Sequence, residues 1–191
     1  MTTAVARSPV SLALALGALT LRAQLVVVHH IGQAGQAAFQ GFFTILIEKE
    51  FGIRVERSVL NNKNEGEGFP DNHSVLRQFP YRINFFRDMV PNDHSQEVMQ
   101  KLNKKYEVFI VSAAMEFPQS LPEKLEWLNK HFAFLSWKQF VFCGSKAVVY
   151  GDYMIDDLVH NLEHFNGDKF IFTAPHNIHL NHFNRLNNWK E

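Results

Sequence analysis

VFIVS, residues 108–112, decides the fold class because it is a short apolar run, rich in β-branched residues, with polar neighbours. Such a run is typical of a strand that is buried on both faces of a sheet. Four similar runs lie at 24–28 (QLVVV), 140–143, 153–155 and 169–173 (KFIFT). Helical patterns lie between them at 94–106, 122–132 and 157–165, and the second is predicted to turn Leu125, Trp127 and Leu128 inward. Strands and helices that alternate at this spacing predict an α/β fold with a parallel sheet.

Length, charge and cysteine content exclude several protein classes. The chain has 191 residues, enough for one main domain with a small insertion. Its 19 basic and 19 acidic residues cancel, which argues against a broad basic surface for nucleic acid or membranes. The single cysteine, Cys143, excludes an internal disulfide and a cysteine-built zinc site.

The first forty residues differ in composition from the rest of the chain. They hold nine Ala and no Asn, Lys, Asp or Glu, whereas residues 41–191 hold five Ala, fifteen Asn and eleven Lys. Three interpretations are open: a secretory signal with Arg7 before the apolar run 10–21, an organelle transit peptide, and a shifted reading frame. Residues 1–23 are therefore set apart as an atypical segment. The expected location is cytoplasmic, with export or mitochondrial import as the alternatives if this segment is a targeting signal.

Polar residues that follow the predicted strands are the candidates for chemistry, because ligands of open α/β sheets bind at the carboxyl ends of the strands. Ser112 can donate to a phosphate oxygen, or it is an ordinary turn residue. Lys146 can place a positive charge on a phosphate, or it is a solvated loop lysine. Asp156 and Asp157 suit a Mg²⁺ site, because hard cations take oxygen ligands, or the pair supplies an N-cap Asp that opens the next helix.

Six stretches in this order resemble the 5′(3′)-deoxyribonucleotidases of the haloacid dehalogenase superfamily. They are FFRD (85–88) followed by Pro91, VFIVSAAM (108–115), EKLEW (123–127), FCGSK (142–146), GDYMIDD (151–157) and FTAPHN (172–177). The resemblance runs from about residue 39 to Trp189. It implies a three-layer, Rossmann-like core formed by 24–40 and 88–191, with a small helical cap at 41–87 inserted after the first strand.

The resemblance also implies an activity, a metal and a set of site residues. The family hydrolyses nucleoside monophosphates through an aspartyl-phosphate, with the help of Mg²⁺. Ser112 and Lys146 match the positions that hold the phosphate, and Asp156 and Asp157 match the acids of the metal site. The expected partner is a nucleoside monophosphate and neither nucleic acid nor a membrane, and a homodimer is left open. Base preference and 5′ or 3′ preference are not determined by the sequence.

One motif of the family is missing from this sequence. The family carries D-x-D directly after the first strand, and the corresponding positions near His29 to Gln33 hold no acid. The first acidic residue of the chain is Glu48. Without the nucleophilic Asp the chain is expected to be inactive and to bind Mg²⁺ weakly, because a principal ligand is lost as well. The alternatives are a non-catalytic protein that binds nucleotide or phosphate, and an exported binding protein whose signal is cleaved.

Overall fold

The computed structural model describes residues 24–28, 36–54, 56–61, 63 and 73–191, and the predictions for residues 1–23, 29–33 and 64–72 lie outside this part of the chain. The strands are β1 (Gln24–Val28), β2 (Glu107–Ser112), β3 (Phe140–Phe142), β4 (Tyr153–Asp156), β5 (Asp168–Phe172) and β6 (Asn184–Leu186). The helices are α1 (Gln36–Phe51), α2 (His73–Leu76), α3 (Ser95–Lys105), α4 (Ser120–His131) and α5 (Val159–Glu163). Short 3₁₀ turns include those at Ala114–Glu116, Lys146–Val148 and Pro175–Asn177.

The strands form a parallel sheet in the order β3-β2-β1-β4-β5-β6. The chain moves outward from β1 to β3 and then returns to the other side of β1 to build β4, β5 and β6. The strand order therefore reverses between β1 and β4, and ligands of such sheets bind beyond the carboxyl ends of the strands at this switch point. This arrangement confirms the predicted α/β fold of Rossmann type.

Side-chain alternation along the strands divides the core between the two faces of the sheet. On one face Val108 and Ile110 of β2 pack in a cluster with residues of α3 and α4, among them Met99 and Leu128. On the other face Val111 and Met154 pack with Leu162 of α5. Helices therefore cover both faces, which gives the three layers that the resemblance implies.

A third and separate hydrophobic cluster combines one residue of α1 with residues of the segment that leads to α3. It consists of Ile47, Phe79, Phe85, Phe86 and Met89. Helix α4 attaches residues 84–89, here called the return limb, to the core. The Glu123 carboxylate accepts from the backbone N–H groups of Asn84 (2.6 Å) and Phe86 (3.0 Å). The indole of Trp127 donates to the carbonyl of Met89 at 2.6 Å. The assignment of residues 41–87 as a cap stays a prediction, and this cluster lies where a cap would have its own core.

The structure differs from the sequence-based expectation at three points. Leu125 is 39% exposed and does not face inward, because the buried side of α4 carries Glu123 and Lys124 together with Trp127 and Leu128. The helix predicted at 157–165 is shorter in the structure, where α5 has 5 residues. Strand β6 was not predicted, because a three-residue run of Asn, Arg and Leu has no apolar signal.

No helix in the part of the chain that the structure describes is both long enough and apolar enough to cross a lipid bilayer.

Close backbone contact fixes Gly167 at the start of β5. A methyl group at this position would lie 2.3 Å from the carbonyl oxygen of Asp152, the group that accepts from the Asp168 N–H at 2.8 Å. We expect Gly167→Ala to lower the free energy of unfolding by about 1–3 kcal/mol, the usual range for overpacking. Gly144→Ala is the matched control, because its new methyl group would meet no atom closer than Met115 Cβ at 4.0 Å. Urea unfolding of both variants measures the difference, and equal midpoints would contradict this account.

Candidate functional site

A buried ion pair lies at the carboxyl edge of the sheet, beside the switch point. Lys146 Nζ is 3.3 Å from Asp156 Oδ2, and the two side chains are 7% and 0% exposed. Lys146 follows β3 whereas Asp156 ends β4, and these strands are three spacings apart, or about 14 Å. The 3₁₀ turn at Lys146–Val148 carries the lysine back along the edge. The predicted phosphate ligand and the first predicted metal acid are therefore in direct contact.

Backbone hydrogen bonds orient both acids after β4. Asp156 Oδ1 accepts from the N–H of Leu158 at 3.0 Å. The carbonyl of Asp157 lies 2.9 Å from Asn177 Nδ2, which donates to it, and 3.1 Å from His176 Nε2. The helix that follows has Leu158 as its N-cap residue, and no side chain caps it. The interpretation of an aspartate as the N-cap residue of this helix is therefore wrong, and Asp157 is a buried residue, 2% exposed.

Asn177 is the centre of the network that supports Asp157. It is 1% exposed, and its Nδ2 also donates to the carbonyl of Phe172 at 2.9 Å. Its Oδ1 accepts from the Ala174 N–H and from Arg185 Nη1, each at 3.1 Å. The turn at FTAPHN therefore joins β4, β5 and β6, and Asn177 has a structural role in it.

Ser112 lies on the same edge, two strands away from Asp156. It is the last residue of β2 and is 1% exposed. Strand β1 separates β2 from β4, so the two backbones are about 10 Å apart. The Ser112 carbonyl accepts from the N–H of Cys143 at 2.9 Å, which joins the end of β2 to the loop that carries Lys146. All four predicted site residues share one edge, whereas their roles toward a ligand stay predictions.

Sequence reasoning did not predict the burial of two charged residues on α4, although both lie in the stretch EKLEW. Glu123 and Lys124 are 5% and 7% exposed. Lys124 Nζ lies 4.2 Å from the centre of the Phe86 ring. Burial, together with repulsion from Lys146, lowers the pKa of Lys124 to about 8, and Glu116 opposes this shift. The signal that could have found them is their spacing, because both fall on the helical stripe that Trp127 and Leu128 occupy.

The remaining candidates for metal or thiol chemistry gain no support. Among the described residues, no three His, Cys, Asp or Glu side chains cluster as a metal site would require. The five histidines at 160, 164, 176, 179 and 182 belong to no such cluster among these residues. Cys143 is half-buried, and burial raises the pKa of its thiol, although Lys146 acts in the opposite direction. A raised pKa makes the thiolate scarce and the residue a poor nucleophile.

Comparison with known proteins identifies the family. The family model described as 5′ nucleotidase, deoxy (pyrimidine), cytosolic type C protein matches residues 37–191. The chain belongs to this family. A protein of Staphylococcus aureus (strain Mu50) is 40% identical over 142 residues, which are 74% of this chain and 78% of that protein. The 5′(3′)-deoxyribonucleotidases of Bacillus subtilis (strain 168) and Bacillus phage SPbeta are each 45% identical over 120 residues, or 63% of this chain and 69% of theirs.

The matched region contains every predicted site residue and excludes the positions of the missing motif. Ser112, Lys146, Asp156 and Asp157 all lie inside residues 37–191. His29 to Gln33 lie before the match and outside the described residues. The family assignment therefore depends on the part of the chain that carries the phosphate and metal candidates.

Removal of Lys146 tests whether the buried ion pair supports the fold. We expect Lys146→Met to lower the free energy of unfolding by about 3 kcal/mol, because the buried Asp156 carboxylate loses its cation. Lys101→Met is the control, since Lys101 pairs with Glu97 on the surface, where solvent screens the pair and its loss should change stability little. Urea titration at pH 7 measures both variants. Equal destabilisation of the two variants would show that the buried pair contributes no more to stability than the surface pair does.

The pKa of Lys124 predicts a pH dependence of stability. In the unfolded chain the lysine regains its ordinary pKa of 10.5, so the unfolded state binds the proton more tightly than the folded state, with its pKa of about 8. Stability should therefore rise between pH 8 and pH 10.5 and be lowest, as far as Lys124 is concerned, below pH 8. Lys124→Met should be more stable than the parent at pH 7, and the difference should shrink toward pH 10.5. A difference that does not change with pH would contradict this prediction.

Proposed function

We propose that this chain binds (deoxy)nucleoside monophosphates at the carboxyl edge of the sheet and does not hydrolyse them. The observation that carries this proposal is the buried pair of Lys146 and Asp156 beside the switch point. An ammonium group that is already desolvated and oriented binds a phosphate more strongly than a solvated lysine does, because less water has to be removed. The relatives named as 5′(3′)-deoxyribonucleotidases supply the class of ligand.

The phosphate group would lie between the ends of β2 and β4. Lys146 would supply a positive charge, and the Ser112 hydroxyl would donate a hydrogen bond from the other side. Strand β1 ends between them, and the gap of about 10 Å between the flanking backbones leaves room for a phosphate with its side-chain ligands. Asn177 and His176 would keep the backbone of Asp157 in place as the ligand enters.

Asp156 and Asp157 fit a Mg²⁺ ion by their chemistry. Both are acids buried at the same edge, next to the ammonium group that indicates where the phosphate would bind. Magnesium in phosphate sites is usually held by one or two carboxylates, with water and substrate oxygens as the other ligands. When bound, the ion neutralises charge on the phosphate. With two acids and no third ligand among the described residues, we expect weak binding of the metal.

The proposed lack of turnover follows from the residues that the chain does not have. In the family, as the resemblance implies, one Asp attacks phosphorus and a second protonates the leaving oxygen. No Asp or Glu precedes Glu48 in this sequence, so neither group has a substitute after β1. The loss of general acid–base help alone lowers rates by about 10²–10⁴-fold. The absence of the nucleophile removes the covalent route altogether.

An assay with deoxyuridine monophosphate separates binding from hydrolysis. Calorimetry should detect binding of this nucleotide, and deoxyuridine without its phosphate should bind much more weakly. Phosphate release in the presence of Mg²⁺ should stay at the level of the buffer. Asp156→Asn is the control for contaminating phosphatases, because a contaminant would be unaffected by it. Sustained turnover that Asp156→Asn abolishes would overturn the proposed inactivity, and absence of binding would overturn the proposed ligand.

Restoration of the two acids tests the register of the missing motif. Counted from Val28, the acids belong at 29 and 31, so His29→Asp combined with Ile31→Asp should give measurable phosphate release with Mg²⁺. If the motif is instead counted back from Gln40, its two acids belong at 31 and 33. The double variant Ile31→Asp with Gln33→Asp is therefore the matched comparison. Release should appear in one double variant and disappear when Asp156→Asn is added. If both variants fold and bind the nucleotide without release, the loss of D-x-D is not the reason for inactivity.

A further inference from the structure

Arg185 fixes the turn that follows β5. It lies in the edge strand β6, and its guanidinium group donates to four oxygen atoms. Nη1 donates to Thr173 Oγ1 (3.0 Å) and to Asn177 Oδ1 (3.1 Å), and Nη2 donates to the carbonyls of Asn177 (2.9 Å) and Leu180 (2.6 Å). A guanidinium group is planar and presents its N–H donors in a rigid fork. Arg185 therefore determines where residues 173–180 lie relative to β6.

Arg185 also determines the direction of the Asn177 side-chain amide. Asn177 Oδ1 accepts from Arg185 Nη1 and from the Ala174 N–H, each at 3.1 Å. If the amide were flipped, its NH₂ group would face these two donors and neither hydrogen bond could form. The Nδ2 group is therefore directed to the opposite side, where it donates to the carbonyls of Phe172 and Asp157 at 2.9 Å each. One buried side chain thus connects Arg185 with Asp157.

The backbone of Asp157 is held from two sides. Its carbonyl accepts from Asn177 Nδ2, while the preceding residue, Asp156, contacts Lys146 Nζ at 3.3 Å and accepts from the Leu158 N–H at 3.0 Å. The direction of a carboxylate depends on the backbone that carries it, so groups that hold this backbone influence the affinity for a bound metal. Asn177 is such a group for Asp157, and Arg185 holds Asn177.

We propose that Arg185 is a positioning residue for Asp157, the candidate metal acid, and strengthens the binding of a divalent cation through Asn177. Its role is indirect, because the hydrogen bonds lead from Arg185 to Asn177 and from Asn177 to Asp157. This inference rests on the proposed function, because it assigns a further residue to the same Mg²⁺ site. It also gives the edge strand β6 a part in ligand binding.

Binding of Mg²⁺ to variants tests this role, with the backbone amide resonances of Asp157 and Leu158 as the NMR readout. Arg185→Met should weaken the binding of Mg²⁺ by about 10–100-fold, the usual effect of removing a group that orients a metal ligand. Thr173→Val is the matched control, because it removes a hydroxyl that accepts from Arg185 and leaves both contacts with Asn177 in place. Its affinity for Mg²⁺ should equal that of the parent protein.

Two further variants separate positioning from general support of the fold. If Arg185 acts through Asn177, Arg185→Met should cause little additional loss of Mg²⁺ affinity in a protein that already carries Asn177→Ala. Full losses from both substitutions in the double variant would contradict the proposal. Arg185→Lys retains the positive charge and lacks the planar fork, so it should bind Mg²⁺ about as weakly as Arg185→Met does. Full recovery with lysine would show that charge, and not the orientation of Asn177, is what matters.

The outcomes distinguish this proposal from the one on which it rests. If the parent protein binds deoxyuridine monophosphate and Mg²⁺, and Arg185→Met binds Mg²⁺ equally well, the present inference fails alone. If the parent binds the nucleotide and no Mg²⁺, the present inference fails and the nucleotide site stands. If the parent binds neither, both proposals fail.

A measurement on the unmodified protein covers the case in which Arg185→Met does not fold. Coupling between two sites is reciprocal, so a cation at Asp157 should stabilise the contact of Arg185 with Asn177 by the same factor. Exchange of the Arg185 guanidinium protons with solvent, measured by NMR, should therefore slow by about ten-fold or more at saturating Mg²⁺. The guanidinium group of Arg87, which pairs with Glu126 on the surface, is the internal control. An unchanged exchange rate at Arg185 while Mg²⁺ binds would overturn the proposal.

Discussion

The contact between Lys146 and Asp156 is the constraint on which the arrangement of the edge depends. It joins the loop after β3 to the end of β4, and the ends of β2 and β1 lie between these two points. Because both side chains are out of water, neither can move away without leaving a desolvated charge behind. The pair therefore fixes the positions of the loop and of the acidic strand end relative to each other. The ends of β1 and β2, including Ser112, lie between these two fixed points.

Helix α4 connects this edge with the rest of the molecule. Its buried face carries an acid, a cation and an indole, and each contacts a different part of the return limb at residues 84–89. Glu123 satisfies two backbone N–H groups, Lys124 lies over Phe86, and Trp127 donates to Met89. A helix with a fully apolar face would pack as well, but it would leave these backbone groups without partners.

Strands β1 to β5 could be predicted because each is an apolar run with a clear end. The same runs placed Ser112, Asp156 and Asp157 at strand ends. The approach of Lys146 to Asp156 could not be predicted, because it depends on the order of strands in space and not along the chain. Leu125 and Lys124 show the opposite failure: hydrophobicity favours the leucine for the interior, whereas tertiary contacts select the lysine. Strand β6 depends on its ladder with β5 and on the contacts of Arg185, neither of which its three residues reveal.

The attachment of residues 84–89 to α4 has a mechanical consequence. Three attachments lie along one side of a single helix: two buried carboxylate oxygens of Glu123, the Trp127 indole, and the surface pair of Arg87 with Glu126. A segment held in this way cannot leave the helix without breaking the buried bonds together. Residues 84–89 should therefore separate from α4 in one cooperative step and not contact by contact.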